Sequence, residues 1–408
     1  MLTKLKYNDT MIKKIVTLLS FIFILIVMLS CGRRTKEGNT ATKNSNKPDT
    51  TGYIANPSGF VIRKGVNLSH WMSQTRDWAP KDKFITRDDI KLIHSFGFDH
   101  VRIPVDEEEL WDENGNVIEP SLRHVKNCLD WCSECGLRAV IDLHILRSHH
   151  FNARNNEGQM TLWVDTVAQN NLMKLWENLS GYLHEYPNDM VAYEIMNEPV
   201  APDHEQWNKL IARAVKIIRK REPGRVIIIG SNMWQQPYTF PYLKVPEGDK
   251  NIILSVHTYH PYFVTHYKAY WSPAKYYDGP VHYPGQCITD ADFDKYVDKK
   301  NEALMLRLEE ENARDVYNKE KLRSIIREAI DKAKELGLQL YCNEFGCLPS
   351  VPEETRLKYY QDITDIFREN SIAYANWDYK GDFCIVKWDR KNLKNLEPNI
   401  ELIKILTR

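Results

Sequence analysis

The stretch that most restricts what this chain can fold into is Met190 to Pro199, read Met-Val-Ala-Tyr-Glu-Ile-Met-Asn-Glu-Pro. Its apolar run from Met190 to Met196 has the length and composition of a strand buried on both faces, as in a parallel sheet covered by helices. Pro199 cannot donate to a ladder and drives the residue before it out of the α region. The strand must therefore stop with Asn197 and Glu198 at its carboxyl end. A second segment of the same design, Gly337 to Cys342, closes in Asn343-Glu344-Phe345-Gly346, where the glycine permits a turn. A lone Glu at a strand end is usually a loop residue with a satisfied hydrogen bond. Two of them on two parallel strands can face one another across the mouth of a closed barrel, at the end where barrels carry their chemistry.

The rest of the chain alternates strand-like and helix-like runs, the signature of βα units. Strands are expected at Val61 to Val66, His100 to Val105, Arg138 to Leu143, Met190 to Met196, Arg225 to Ile229, Ile252 to Val256, Gly337 to Cys342 and Ser371 to Ala375. Helices are expected at Thr86 to Ser95, Ser121 to Cys135, Asn170 to Glu185, Trp207 to Glu222, Lys319 to Leu336 and Glu353 to Glu369. Several carry apolar residues at three and four spacing, as in Leu210, Ala214, Ile217 and Ile218. Eight strands predict an α/β fold, a (β/α)8 TIM barrel over residues 58–408, with a long insertion after strand 6 at about 258–318. That insertion holds Tyr259, Tyr262, Phe263, Tyr267, Tyr270, Trp271, Tyr276, Tyr277 and Tyr283. Leaving from a strand's carboxyl end, it is expected over the mouth as a cleft wall or lid.

Ahead of the barrel, Lys13 and Lys14 precede an apolar run from Ile15 to Ser30 that ends at Cys31. This layout predicts a signal peptide over residues 1–31 with a lipobox, so that the chain is exported and held to the membrane only by a lipid on Cys31. Arg33 and Arg34 lean the expected location of this lipoprotein to the periplasm rather than the outer-membrane surface. Residues 32–57, rich in Lys, Thr, Asn and Ser, read as a flexible linker. The seven cysteines beyond Cys31 lack a repeated spacing, and Cys128, Cys132 and Cys135 read as thiols on one helix. In an oxidising compartment Cys342 and Cys347 could bridge the turn that holds Glu344.

Formal charge is zero and the charged residues are scattered, so no nucleic-acid footprint is present. No glycine-rich phosphate cradle follows any strand, and no cofactor is implied. The first strand ends Asn67-Leu68-Ser69-His70, without the paired histidines of barrel metallohydrolases, so no catalytic metal is expected although His144, His149, His150, His257 and His260 are available. Many of the 11 tryptophans and 21 tyrosines fall in expected loops, where aromatic faces suit sugar rings, although core packing is expected to account for most of them.

Other strand ends supply Arg102, His144, His257, Tyr259 and Trp377. Singly, each has a structural explanation: an ion pair, a satisfied histidine, packing. Together with two opposed carboxyls they suit glycoside hydrolysis, in which one carboxyl protonates the departing oxygen and the other attacks or activates water.

In order along the chain, Gly65-Val66-Asn67, Arg102, His144, Asn197-Glu198-Pro199, His257 with Tyr259, Asn343-Glu344-Phe345-Gly346, and Trp377 resemble glycoside hydrolase family 5, the cellulase-like retaining barrels. The resemblance covers Gly65 to Lys380. It implies Glu198 as acid/base and Glu344 as nucleophile, about 5 Å apart. It implies Arg102 and Tyr259 beside Glu344, Asn197 on the sugar 2-hydroxyl, and His144 and His257 as the polar floor. It also implies Trp377 under the sugar and a cis peptide from Trp377 to Asp378. After His144 the family often has a short glycine turn, whereas this chain runs Ile145-Leu146-Arg147-Ser148-His149-His150-Phe151. Trp71, Trp234 and Lys380, also near strand ends, are expected contacts for neighbouring sugars. The reading is a monomeric hydrolase of β-linked polysaccharide, β-glucan first. The alternatives are a mannan- or hemicellulose-specific member and a non-catalytic glycan-binding protein on the same barrel.

Overall fold

The computed structural model describes residues 52–76, 78–151, 160–389 and 394–408, with side chains in all of these except 394 and 395. The expected export signal, Cys31 and most of the linker lie outside the described residues.

Eight strands form the barrel: β1 (Lys64–Asn67), β2 (His100–Val105), β3 (Arg138–Leu143), β4 (Val191–Glu194), β5 (Val226–Gly230), β6 (Ile252–His257), β7 (Gln339–Phe345) and β8 (Ala373–Asn376). Each pairs in parallel with the next, and β8 pairs with β1, so the sheet closes. The helices that cover it are α1 (Arg87–Ser95), α2 (Glu119–Cys135), α3 (Thr166–Leu183), α4 (His204–Arg221), α5 (Arg327–Leu336), α6 (Glu353–Glu369) and α7 (Ile400–Thr407). Local chemistry sets their ends. Thr86 and Asp89 form a capping box on α1, Asp203 and Gln206 form one on α4, and Gly337 at φ 60° closes α5. The expected helix from Lys319 to Leu336 is broken at Ile326 into Lys319–Ile325 and α5. Between β5 and β6 the Pro237–Tyr242 segment winds as a 3-10 helix with a second proline, Pro241, inside it.

Strand alternation sorts the core into two shells. Val140, Ala192, Val226, Ile228, Ile253, Tyr341, Ala373 and Ala375 meet Phe60 and Ile62 inside the barrel. Alternate residues such as Ala139, Ile141, Ile227, Ile229, Leu254 and Cys342 pack outward under the helices. One step of two from Val140 and Ala192 leads to Asp142 and Glu194, so the inner face turns from apolar to ionisable toward the carboxyl end.

Strand β7 runs to Phe345, beyond the expected stop at Cys342, because it carries a bulge. Its register jumps from Val256↔Cys342 to His257↔Glu344 against β6, and from Tyr374↔Cys342 to Asn376↔Phe345 against β8. The extra residue resets the side-chain alternation and re-aims Glu344.

The insertion after β6 is folded. It contains helices Tyr262–Thr265, Asp290–Tyr296 and Glu302–Glu310, and a short antiparallel pair of Gly285–Gln286 with Val316–Tyr317. Phe263, Tyr277, Tyr283, Leu304 and Tyr317 are buried. Tyr283 Oη donates to Asp362 on α6 (3.0 Å), and the Leu348 N–H donates to the Thr265 carbonyl (2.9 Å). It stands as a packed wall beside the loop after β7.

The disulfide considered for Cys342 and Cys347 is not formed: all seven described cysteines are free thiols. Cys342 Sγ donates to the Glu344 carbonyl (3.4 Å) and Cys347 Sγ to the Val264 carbonyl (3.8 Å), so the two sulfurs serve separate partners.

Candidate active site

Arg102, on the inner face of β2, is fully buried and gathers five side chains from four other strands or their ends, two of them from β4. Its Nε donates to Glu194 Oε2 (2.7 Å), and its Nη1 to Glu344 Oε1 (2.7 Å) and Asn67 Oδ1 (3.1 Å). Its Nη2 donates to Asn197 Oδ1 (2.8 Å) and Glu194 Oε1 (3.2 Å) and lies 2.9 Å from Asp142 Oδ2. Only a planar guanidinium presents donors in enough directions for such a hub. Asn343 Nδ2 donates to Glu194 Oε1 (2.7 Å), and Asn67 Nδ2 to the Asn343 carbonyl (2.9 Å).

Glu344 also accepts from Tyr259 Oη at Oε2 (3.1 Å). Glu198 comes from the loop after β4 and pairs through Oε1 with His257 Nδ1 (2.8 Å), which lies 3.8 Å from Glu344 Oε2. One ligand-type atom from each of Glu198, His257 and Glu344 falls within 4.8 Å of the others, so the two acids face each other across a short gap. A cation shared by all three would engage both acids at once, which is incompatible with one giving a proton while the other attacks carbon. His144 Nδ1 bonds Asp142 Oδ2 (2.7 Å), and its ring lies parallel to Trp377 at 5.5 Å. The Trp377–Asp378 peptide is cis.

Burial sets the protonation pattern. It pushes Glu198 well above the usual carboxylate range, and the facing charge of Glu344 pushes the same way. Burial also raises Glu344, but the Arg102 guanidinium opposes it. Burial drives His257 well below the ordinary imidazole value, with Arg102 and His144 adding to the effect, and takes His144 down to about 3. Neutral His257 can therefore accept a hydrogen bond from a protonated Glu198. Burial lifts Asp142 and Glu194 to about 7 each, against the pull of Arg102.

The structure thus brings together Arg102, Asn197, Glu198, His257, Tyr259 and Glu344, with His144 and Trp377 adjoining. Trp234 is 38% exposed at the rim, its main-chain N–H on the Pro199 carbonyl (3.1 Å) and its indole N–H on the Phe151 carbonyl (3.2 Å). Trp71 and Lys380 are each engaged by other parts of the chain. Trp71 is buried in the shell under the helices and donates its indole N–H to the Lys81 carbonyl (2.9 Å). Lys380 is buried on Asp89 of α1 (2.5 Å) and the Phe84 carbonyl (3.1 Å). Both are taken up by packing and pairing with these partners. Sequence reasoning gave no role to Asp142, Glu194 or Gln235. The first two carried a signal, an acid two residues along from an inward apolar residue on the same strand face.

Comparison with known proteins agrees with this arrangement. The model of the family "Cellulase (glycosyl hydrolase family 5)" matches residues 56–382. The chain is 35% identical over 354 residues to Endoglucanase C of Acetivibrio thermocellus, covering 85% of this chain and 98% of that one. It is 28% identical over 316 residues to Cellodextrinase A of Ruminococcus flavefaciens, covering 76% and 84%. Its fold is similar to that of a hyperthermophilic endo-β-1,4-glucanase solved with substrate, at TM-score 0.66 and 23% identity over 86% of this chain and 98% of the other. Thermotoga maritima Cel5A solved with mannotriose is similar at TM-score 0.64 and 20% identity, over the same shares of the two chains. The chain therefore belongs to the cellulase family, glycosyl hydrolase family 5, and is an O-glycosyl hydrolase of β-linked polysaccharide.

Proposed function

We propose that this enzyme cleaves β-1,4-linked glucan with Glu344 as nucleophile and Glu198 as acid/base. The observation that carries the assignment is the inequality of two facing carboxyls. Glu344 is held by Arg102 and Tyr259, groups that favour its anion, whereas the Glu198 carboxyl pairs with a neutral imidazole and faces a negative neighbour. Glu344 Oε1 is anchored by Arg102, which leaves Oε2 directed toward Glu198. In the first step Oε2 forms a bond to the anomeric carbon while the glycosidic C–O bond breaks, and the Glu198 proton goes to the leaving oxygen. In the second, Glu198 takes a proton from water, whose oxygen displaces Glu344 from the same carbon. Two inversions retain configuration, and a gap of this size suits direct attack better than an interposed water. Asn197 Nδ2 and His257 Nε2 are buried without a partner among the described residues, groups that sugar hydroxyls would satisfy. Trp377 offers its ring beneath the same sugar.

Proton NMR of freshly cleaved cellopentaose should show the β anomer first, and Glu344→Gln should abolish turnover while cellopentaose still binds. The α anomer appearing first, or undiminished turnover, would refute the assignment. Rates on β-glucan, xyloglucan, mannan and xylan fix the backbone. The names of the two curated relatives support glucan, and a preference for mannan would overturn that choice. The same proposal holds the enzyme outside the cytoplasm as a monomer anchored by a lipid on Cys31, supported by the charged-then-apolar leader. Palmitate labelling that persists in Cys31→Ser would sink the anchor.

A further inference from the structure

We infer that His149 and Gln235 are positioning residues that clamp the acid/base Glu198 by its main chain. The inference rests on the role just proposed for Glu198. Glu198 has φ 44°, a left-handed conformation that a non-glycine residue holds only when its surroundings over-determine it. Its N–H donates to Gln235 Oε1 (3.0 Å), and its carbonyl accepts from His149 Nε2 (3.1 Å). The peptide units on both sides of its Cα are therefore fixed. That fixes the direction of the Cα–Cβ bond, and with it where the carboxyl can deliver a proton.

Each half of the clamp is itself braced. Gln235 ends three consecutive left-handed residues, Met233, Trp234 and Gln235, at φ 54°, 59° and 55°. The turn they form is tied to the Glu198 loop by the Trp234 N–H on the Pro199 carbonyl (3.1 Å). Asn232 adds a reciprocal pair with the Ala201 main chain (2.8 Å each). Gln235 Nε2 reaches Ser255 Oγ (2.6 Å) and Glu194 Oε1 (3.3 Å), so the residue that holds the acid/base also touches the carboxylate that holds Arg102. His149 is buried, meets the Trp163 ring edge-on (5.2 Å), and must carry its proton on Nε2 to donate to a carbonyl. It comes from the segment Ile145 to Phe151, where this chain lacks a glycine turn. That segment thus supplies a support for the acid.

A mispointed acid penalises substrates in proportion to their need for a proton. The test is kcat/KM on aryl β-cellobiosides from dinitrophenyl to unsubstituted phenyl, in wild type, His149→Phe, Gln235→Leu and His149→Gln. His149→Phe keeps the ring against Trp163 and removes the donor. Both it and Gln235→Leu should lose about 30-fold on the phenyl substrate, within the range that general-acid catalysis supplies, and at least tenfold less on the dinitrophenyl one. His149→Gln, which restores an N–H, should recover most of the phenyl rate. Equal loss along the series, or no recovery in His149→Gln, would overturn the clamp. A Glu198→Ala variant that loses the phenyl and dinitrophenyl rates equally would instead overturn the reading of Glu198.

Discussion

Arg102→Lys tests the site at its centre, because it keeps the charge and removes the fork. The guanidinium makes six contacts of 2.7 to 3.2 Å to Asn67, Asp142, Glu194, Asn197 and Glu344. An ammonium has three donors on one atom, so at least half of these are lost. Glu194 retains Asn343 and Gln235 as donors, but the acceptor oxygens of Asn67, Asn197 and Glu344 that face Arg102 have no other donor among the described residues. At about 1–3 kcal/mol for each buried acceptor left unsatisfied, with one of the three re-paired by lysine, the expected loss is about 2–6 kcal/mol. The unfolding entropy of a barrel of this size is about 0.7 kcal/mol/K, so Tm should fall by about 3–9 °C. The catalytic effect comes through Glu344. Losing a charge-assisted hydrogen bond worth about 1.5–3 kcal/mol should lower kcat/KM by about 10- to 100-fold. With Arg102 opposing burial less effectively, the Glu344 carboxyl keeps its proton to higher pH, so the acid limb of the kcat/KM profile must move toward alkaline pH. Thermal unfolding and pH-rate profiles on an aryl cellobioside read both. An unchanged Tm with a stationary acid limb would refute the idea that the fork, rather than the charge alone, organises the site.

Three further outcomes follow from the same geometry. Because the Glu344 charge helps raise Glu198, Glu344→Gln should lower the Glu198 pKa, and a carboxyl NMR titration showing no fall would contradict the coupling. A Cβ on Gly346 would lie 2.4 Å from the Trp377 carbonyl oxygen and 3.0 Å from Phe383, so Gly346→Ala should cost about 2–3 kcal/mol and lower turnover, with an unaltered Tm as the refuting result. Lys380→Met unpairs the buried Asp89, which keeps Thr86 and Tyr379 as donors, so about 2–4 kcal/mol of stability should be lost with cello-oligosaccharide KM within twofold of wild type. A large KM rise would return Lys380 to the substrate cleft.

What the sequence revealed and what it hid divide by the range of the interaction. Strand ends are local events, so Pro199 and Gly346 marked where Glu198 and Glu344 leave the sheet, and eight apolar runs sufficed to expect the barrel. The stop of β7 was set three residues early because a bulge is a property of pairing with β6 and β8, and Cys342-Asn343-Glu344 does not encode its neighbours' register. The partners of Trp71 and Lys380 were hidden for a related reason: nearness to a strand end says nothing about what a side chain pairs with, and Asp89 claims Lys380 from far along the chain. Asp142 and Glu194 were half legible, since parity with Val140 and Ala192 put them inside. Their shared dependence on Arg102 needed three strands in place. Gln235 lay furthest from view. No glycine announces the three left-handed residues that end with it, and its hold on the Glu198 main chain exists only once the loops after β4 and β5 are side by side. The acids of this site can thus be found from the residues that end their strands, whereas the group that aims the proton donor is defined by main-chain contacts between loops.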